Sequence, residues 1–232
     1  MLDIQKMVVH RGHGHRAHRV SLPSLQLDDG QCKAITGPSG CGKSTLLEAI
    51  GLLLAPQRVE RFSISQPAQD VALLLRQKDE ARLAGLRAGK IGFVLQSGGL
   101  LPYLNVAQNV ALPRRQLGLA PHSERIAHAY DRLGLNPLLD KLPAALSIGE
   151  RQRVAFVRAM AHEPDLLLAD EPTAALDPHT ARGLFELFMQ VVKETRLAAL
   201  VVSHDWALID DFQVPRLHAN SQPGETTFEP QD

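Results

Sequence analysis

The sequence predicts an α/β protein: a mainly parallel sheet with antiparallel strands at its N-terminal end and a helical subdomain inserted near the middle. Three observations lead there. The short apolar run Cys32–Thr36 feeds into a glycine-rich loop that opens a helical pattern, so strand, loop and helix follow in order. Apolar strand-like runs and helical-period stretches then alternate, as when parallel strands are joined by crossover helices. From about residue 97 to residue 162 the strand signal is lost and helical periodicity continues, as expected of an inserted helical lobe.

In chain order, Leu2–Val9 and Val20–Leu27 alternate apolar and polar residues and read as strands, followed by a turn at Asp28–Gln31. After the strand Cys32–Thr36, a helix is expected over Ser44–Leu54. Arg61–Ser65 reads as a strand and Gln77–Leu86 as a charged helix. Lys90–Leu95 reads as a strand that ends at Gln96, where Gly98, Gly99 and Pro102 break the pattern. Helices are expected at Asn105–Leu117, with Asn105 as N-cap, and at Pro121–Leu133, starting near Pro121 or Ser123 and stopped by Gly134. Pro143–Leu146 leads into Ser147 and a helix over Gly149–His162. Asp165–Ala169 and Ala198–Ser203 are apolar strands, and Pro178–Thr195 between them is an amphipathic helix with Pro178 in its first turn. Val214–Asp232 carries three prolines and reads as a short strand or two followed by disorder. The expected organisation is one domain over 1–213, with its α/β core in 1–96 and 163–213, the helical subdomain in about 97–162, and a tail at 214–232.

Composition bounds the function. The chain has 232 residues, 44% hydrophobic and 22% charged, which is globular. Lys plus Arg and Asp plus Glu are both 25, so no overall charge draws it to nucleic acid or anionic lipid. The two cysteines, Cys32 and Cys41, are too few for a disulfide framework, and no signal-peptide pattern precedes them; a reducing cytosol fits. No apolar run approaches the roughly 20 residues needed to span a bilayer, so any work at a membrane is expected from its surface.

Gly37–Thr45 reads G-P-S-G-C-G-K-S-T, the full G-x-x-x-x-G-K-[ST] phosphate-binding loop. The nucleotide cradle is Gly37, Pro38, Ser39, Gly40, Cys41, Gly42, Lys43, Ser44 and Thr45. Gly37, Gly40 and Gly42 let the backbone turn and bring N–H groups to phosphate oxygens. Lys43 reaches the β- and γ-phosphates, and Ser44 offers its hydroxyl to Mg²⁺. Helix-terminal amides can lower the pKa of the Cys41 thiol, but a small filler residue is the favoured reading. Leu166–Asp177 is an apolar strand that ends in the paired carboxylates Asp170 and Glu171. If it lies beside the phosphate-loop strand, both acids emerge at the sheet's carboxyl edge. Asp170 then helps hold Mg²⁺, and Glu171 accepts a proton from the attacking water. His10, His13, His15 and His18 suggest a metal site. The interleaved arginines would repel a cation, and Gly12 and Gly14 loosen the segment, so an exposed polar turn is favoured.

With Leu146–Val154 (L-S-I-G-E-R-Q-R-V) added, these motifs resemble those of the ATP-binding-cassette (ABC) ATPases, in the right order over about Leu2 to Asp210. Gln96 matches the family's Q-loop glutamine, Ala174–Asp177 its D-loop and His204 its switch histidine. The resemblance implies a head-to-tail homodimer that sandwiches two ATP molecules with Mg²⁺. Catalysis falls to Lys43, Glu171, Gln96 and His204, and Mg²⁺ to Ser44, Gln96 and Asp170, while Ser147, Gly149 and Glu150 come from the opposite subunit. Two departures stand out. Ile148 replaces a signature glycine, adding bulk and resisting positive φ, so closure is expected to be slower. No aromatic precedes Phe62, so by position Arg11 or His10 must serve the adenine, with weak discrimination between ATP and GTP.

Gln96–Pro113 resembles transporter-type members, in which this lobe receives a helix from a membrane subunit. The flanking motifs look most like the branch serving lipoprotein release, macrolide export and cell division. The implied partners are transmembrane permease subunits and a second copy of the chain, at the cytoplasmic face of the membrane, with no nucleic acid. An importer ATPase, a soluble cassette acting on DNA or ribosomes, and a subunit with degraded catalysis remain alternatives.

Overall fold

A computed structural model describes residues 1–12, 17–65 and 67–231. Among the described residues one ten-stranded sheet forms in the order β5-β4-β1-β2-β10-β9-β3-β8-β7-β6. Its strands are β1 (Leu2–Arg11), β2 (His18–Leu27), β3 (Cys32–Thr36), β4 (Arg61–Ile64), β5 (Gln69–Asp70), β6 (Ile91–Val94), β7 (Leu166–Asp170), β8 (Ala198–Val202), β9 (Arg216–Gln222) and β10 (Glu225–Gln231). The strands β9, β3, β8, β7 and β6 are parallel, while β2, β1, β4 and β5 run antiparallel in succession.

The central parallel strands β7 and β8 are nearly continuous apolar runs because helices cover both faces. β8 is Ala-Ala-Leu-Val-Val and buried at every position. The helices are α1 (Lys43–Ile50), α2 (Val71–Gln77), α3 (Glu80–Lys90), α4 (Val106–Gln116), α5 (Glu124–Arg132), α6 (Ile148–Met160), α7 (Pro178–Thr195) and α8 (Trp206–Asp211). Two apolar cores form. One packs α4 to α8 against the sheet around Val157, Leu167, Phe185 and Val201. The other lies under α1 to α3, around Ile35, Leu46, Phe62 and Leu200.

Local signals place many boundaries. Asn105 caps α4 in a reciprocal capping box with Gln108, and Ser123, not Pro121, caps α5. Between β6 and β7 the chain forms α4, α5, α6 and two short 3-10 turns, with no strand.

Four expectations change. The helix after the phosphate loop ends at Ile50, not Leu54: Gly51 closes it and Leu52 turns to φ 59. The single helix expected over Gln77–Leu86 is two, α2 and α3, because Lys78 is left-handed at φ 55 and Asp79 starts a new helix as its N-cap. β7 does not lie beside β3, since β8 sits between them. The C-terminal stretch holds two strands, as expected, but not the disorder expected after them. β9 and β10 form a hairpin inside the sheet, β9 parallel to β3 and β10 parallel to β2, with Phe228 fully buried.

Of the histidine-rich segment, His10 and Arg11 still belong to β1 and pair with Arg19 and His18 of β2. His13, His15 and Gly14 lie outside the described residues. Among the described residues no cluster of His, Cys, Asp and Glu is placed to hold a metal, and no helix is long and apolar enough to cross a membrane.

Candidate active site

The phosphate loop joins β3 to α1. A Cβ on Gly37 would fall 2.4 Å from the Ala219 Cβ, and one on Gly42 2.5 Å from the Val20 Cγ2, so the loop is wedged against β9 and β2. Gly42 is left-handed at φ 102, a conformation glycine adopts without strain. Cys41 is buried, its Sγ packed beneath Gly37, as a filler residue would be. The other thiol, Cys32, is pushed up to about 12 by burial and is inert.

Lys43 is only 5% exposed. Its Nζ donates to the Gly37 and Pro38 carbonyls at 2.9 and 2.8 Å. Gly42 has no side chain to cap α1, so first-turn amides are left for an incoming acceptor. A buried ammonium held only by neutral carbonyls, beside uncapped amides, suits a polyphosphate. Ser44 Oγ donates to Asp170 Oδ1 at 3.3 Å, although β8 separates the two strands. That pair of oxygens suits a hard cation such as Mg²⁺.

Glu171 follows β7 in the left-handed region at φ 49, where a non-glycine residue is strained. Its N–H donates to the Val202 carbonyl at 3.0 Å. Its carboxylate is held from both sides: His204 Nε2 is 2.6 Å from Oε1, and Gln96 Nε2 donates to Oε2 at 3.2 Å. The sheet order explains the convergence, since Gln96, Glu171 and His204 follow the neighbouring strands β6, β7 and β8.

Ser147 caps α6. Its N–H donates to Glu150 Oε2 at 2.6 Å, and its Oγ accepts from the Glu150 N–H at 3.2 Å. The Ser147 N–H foremost, with the Ser147 hydroxyl beside it, holds the Glu150 carboxyl below its usual range and commits it to the cap. Ser147, Ile148 and Gly149 line an open concavity of about 760 Å³ walled by Leu176 and Thr180. Among the described residues, no hydrogen bond joins Ser147, Gly149 or Glu150 to the phosphate loop or Glu171. The strain expected at Ile148 is absent. It is the first helical residue of α6, with no positive φ, and it is 46% exposed, so only its bulk remains as an obstacle. In the D-loop, Asp177 caps α7 through the Thr180 N–H at 3.1 Å.

Arg11 lies against α1: its Nη1 donates to Glu48 Oε2 at 2.6 Å and to Thr45 Oγ1 at 3.5 Å. Its cross-strand partner His18 passes close to Gly42 and bonds Thr226 Oγ1 at 2.9 Å.

Three supporting residues were not foreseen. Gln152 Nε2 ties α6 to the Gln96 carbonyl at 2.8 Å, Arg158 holds the Gly98 and Gly99 carbonyls, and Glu48 fixes Arg11. Each acts across a long sequence separation, which periodicity and spacing do not report.

The ATP-binding protein LolD of a lipoprotein-releasing system in Paramagnetospirillum magneticum is 41% identical over 184 residues, 78% of each chain. The dimeric structure of MJ0796, a bacterial ABC transporter cassette, matches with a TM-score of 0.80 at 30% identity, covering 97% of this chain and 96% of that one. The dimeric post-hydrolysis state of MJ0796, bound to ADP and Pi, matches with a TM-score of 0.81 at 29% identity, covering 99% and 98%. The model of the ABC transporter family spans residues 20–174, from β2 through the phosphate loop and α6 to the residues after Glu171, and the chain belongs to that family as one of its ATP-hydrolysing cassettes.

Proposed function

We propose that the chain is the ATP-hydrolysing subunit of a lipoprotein-releasing complex, working as a homodimer beneath transmembrane subunits at the cytoplasmic face of the membrane. The observation that carries the hydrolytic part is the clasp on Glu171: one carboxylate held by Gln96 and His204, with Lys43 and Ser44 at the start of α1 and Asp170 at the end of β7. The names of similar relatives, ATP-binding proteins of lipoprotein-releasing systems, support the lipoprotein part.

In this reading Lys43 and the first-turn amides of α1 bind the phosphates, and Ser44, Asp170 and Gln96 hold Mg²⁺. The cation, when bound, neutralises charge on the phosphate oxygens. Glu171 takes the proton of the attacking water and His204 keeps it oriented. Ser147 and Gly149 serve the site of the second copy, where a hydroxyl and uncommitted amides at the start of α6 suit the terminal phosphate. Glu150 acts one step back, by holding Ser147 in its cap. Arg11, fixed by Glu48, offers a flat cation to the base. Exposed Leu95, just before Gln96, and Tyr103, in the turn ahead of α4, offer the membrane subunit an apolar landing.

The test is Glu171→Gln. Phosphate release should fall by at least about 100-fold, the lower range for general-base loss, and ATP should drive the variant into a stable dimer. Hydrolysis within about tenfold of the parent removes Glu171 from this role. For the cargo, co-purification with a membrane subunit of four spans and a large extracytoplasmic domain supports lipoprotein release. A partner with five or six spans and a binding protein points to import instead.

A further inference from the structure

The single tryptophan, Trp206, stands two residues beyond His204. His204 is suspended between two anchors. On one side is β8, fully buried and paired with both β3 and β7. On the other is α8, capped by Asp205, whose Oδ1 accepts from the Leu208 N–H at 2.9 Å. A helix of six residues does not hold its own orientation, so its contacts must.

Leu208 and Ile209 bury one side of α8. Two arginines from distant elements grip the rest. Arg216, which begins β9, pairs with Asp210 and lies over the Trp206 ring, its Cζ 5.6 Å from the centroid. Arg182 of α7 pairs with Asp211 and lies 5.4 Å from the centroid of Phe212. The two grips are unequal. The Arg216 side chain is 18% exposed and that of Arg182 56%, while their carboxylate partners are exposed alike at 60% and 52%, so it is the cation of the first grip that solvent and salt reach less. The base of the Arg216 grip is also the firmer one. Arg216 pairs in register with Ala34 of β3, and Ala34 N–H donates to the Pro215 carbonyl at 2.8 Å. The strand that leads into the phosphate loop is therefore tied, through Arg216, to the helix that carries on from His204.

We propose that Arg216 is a positioning residue for ATP hydrolysis: by holding α8 it keeps His204 on Glu171, with Arg182 as a weaker second hold. This rests on the reading that His204 serves the hydrolytic step. The guanidinium is required for its shape as well as its charge, since it must meet a carboxylate and a ring face together.

The experiment measures steady-state ATP hydrolysis, melting temperature and Trp206 emission for the full chain, Arg216→Met, Arg216→Lys and Asp210→Asn, with His204→Ala as reference. Arg216→Met should lower kcat about five- to tenfold with KM for ATP within about twofold, because the phosphate loop is untouched. Arg216→Lys keeps the charge without the flat ring contact and should recover part of the rate. Trp206 emission should shift to the red when the guanidinium is gone. Asp210 is exposed, so Asp210→Asn should fold normally, lower kcat about two- to threefold and decide the matter even if Arg216→Met melts early. Parent kcat in both Arg216→Met and Asp210→Asn overturns the proposal, as does a rise in KM at unchanged kcat. Full activity in His204→Ala instead overturns the underlying role of His204. An inactive His204→Ala beside a fully active Arg216→Met removes only the grip.

Discussion

Gly92 stands in β6 where the strand passes under α6. A Cβ there falls 2.1 Å from the Ala159 carbonyl oxygen and 3.0 Å from its carbon. Those are backbone atoms of a helix and cannot swing aside, and Leu167 Cδ1 at 3.0 Å closes the neighbouring strand's side. In Gly92→Ala, α6 must retreat by roughly 1 Å to restore an ordinary van der Waals separation. Overpacking of this kind costs about 2 kcal/mol, or about 4–8 °C in melting temperature for a chain of this length. The same retreat moves Ser147 at the start of α6 and Gln152, which holds the Gln96 carbonyl. Turnover should therefore fall by about tenfold or more, as misplacement on this scale does elsewhere. Gly85→Ala is the control. It lies in α3 with nothing within 4 Å of its would-be Cβ, so it should gain about 0.5–1 kcal/mol from helix propensity and leave turnover alone. Thermal melts and phosphate release on the three proteins test both limbs. If Gly92→Ala melts within about 1 °C of the parent, the close approach of β6 and α6 does not exist as described.

Ile148→Gly should raise turnover, because the exposed side chain is the obstacle and the helical backbone gains nothing from glycine. Its melting temperature should fall by about 1–3 °C from the entropic cost of glycine in a first turn, and an unchanged rate means that the side chain meets no partner. Arg11→Ala should weaken binding of ATP and GTP alike, by about three- to tenfold, in competition assays with a fluorescent nucleotide; a large ATP preference that survives the substitution assigns the base to other residues. Burial holds the His162 imidazole below its usual range, aided by the Arg114 charge and opposed by the hydrogen bond to the Ile91 carbonyl. The unfolded chain therefore takes the proton first, so this contribution is present above pH 6.5 and is lost as pH falls below it. His162→Asn should narrow the difference in melting temperature between about pH 7.5 and about pH 5.5.

What was legible in the sequence was what neighbours in the sequence decide. Cys32–Thr36 and Pro178–Thr195 occur with the expected boundaries, because an apolar run before glycines, and Asp177–Pro178 ahead of an amphipathic period, are local signals. The capping residue Asn105 was readable for the same reason. Asp79 was an equally good cap, but the charged stretch around it masked the break at Lys78. Strand neighbours were not legible. Nothing near Leu166–Asp170 announces that β8 separates it from β3, and nothing in the proline-bearing C-terminus announces that Phe228 fills a core between β2 and β9. The supporting contacts of the site were hidden likewise, since Gln152 meets Gln96 and Arg11 meets Glu48 only after the sheet is assembled.

The insertion of β8 also explains why the site tolerates its unusual residues. Glu171 is held by side chains that follow the strands on either side of its own, and those strands are buried and cannot slide. Freedom begins only where each strand ends. Beyond Gln96, Gly98 and Gly99 both take positive φ before the helical lobe, and beyond His204 the chain enters the short α8. A displacement of the lobe or of α8 therefore reaches Glu171 through one donor each, without deforming the sheet. Ile148 and Arg11 lie outside this three-strand junction, one at the exposed start of α6 and the other against α1. Their substitution can alter closure and base preference while leaving the Glu171 clasp intact.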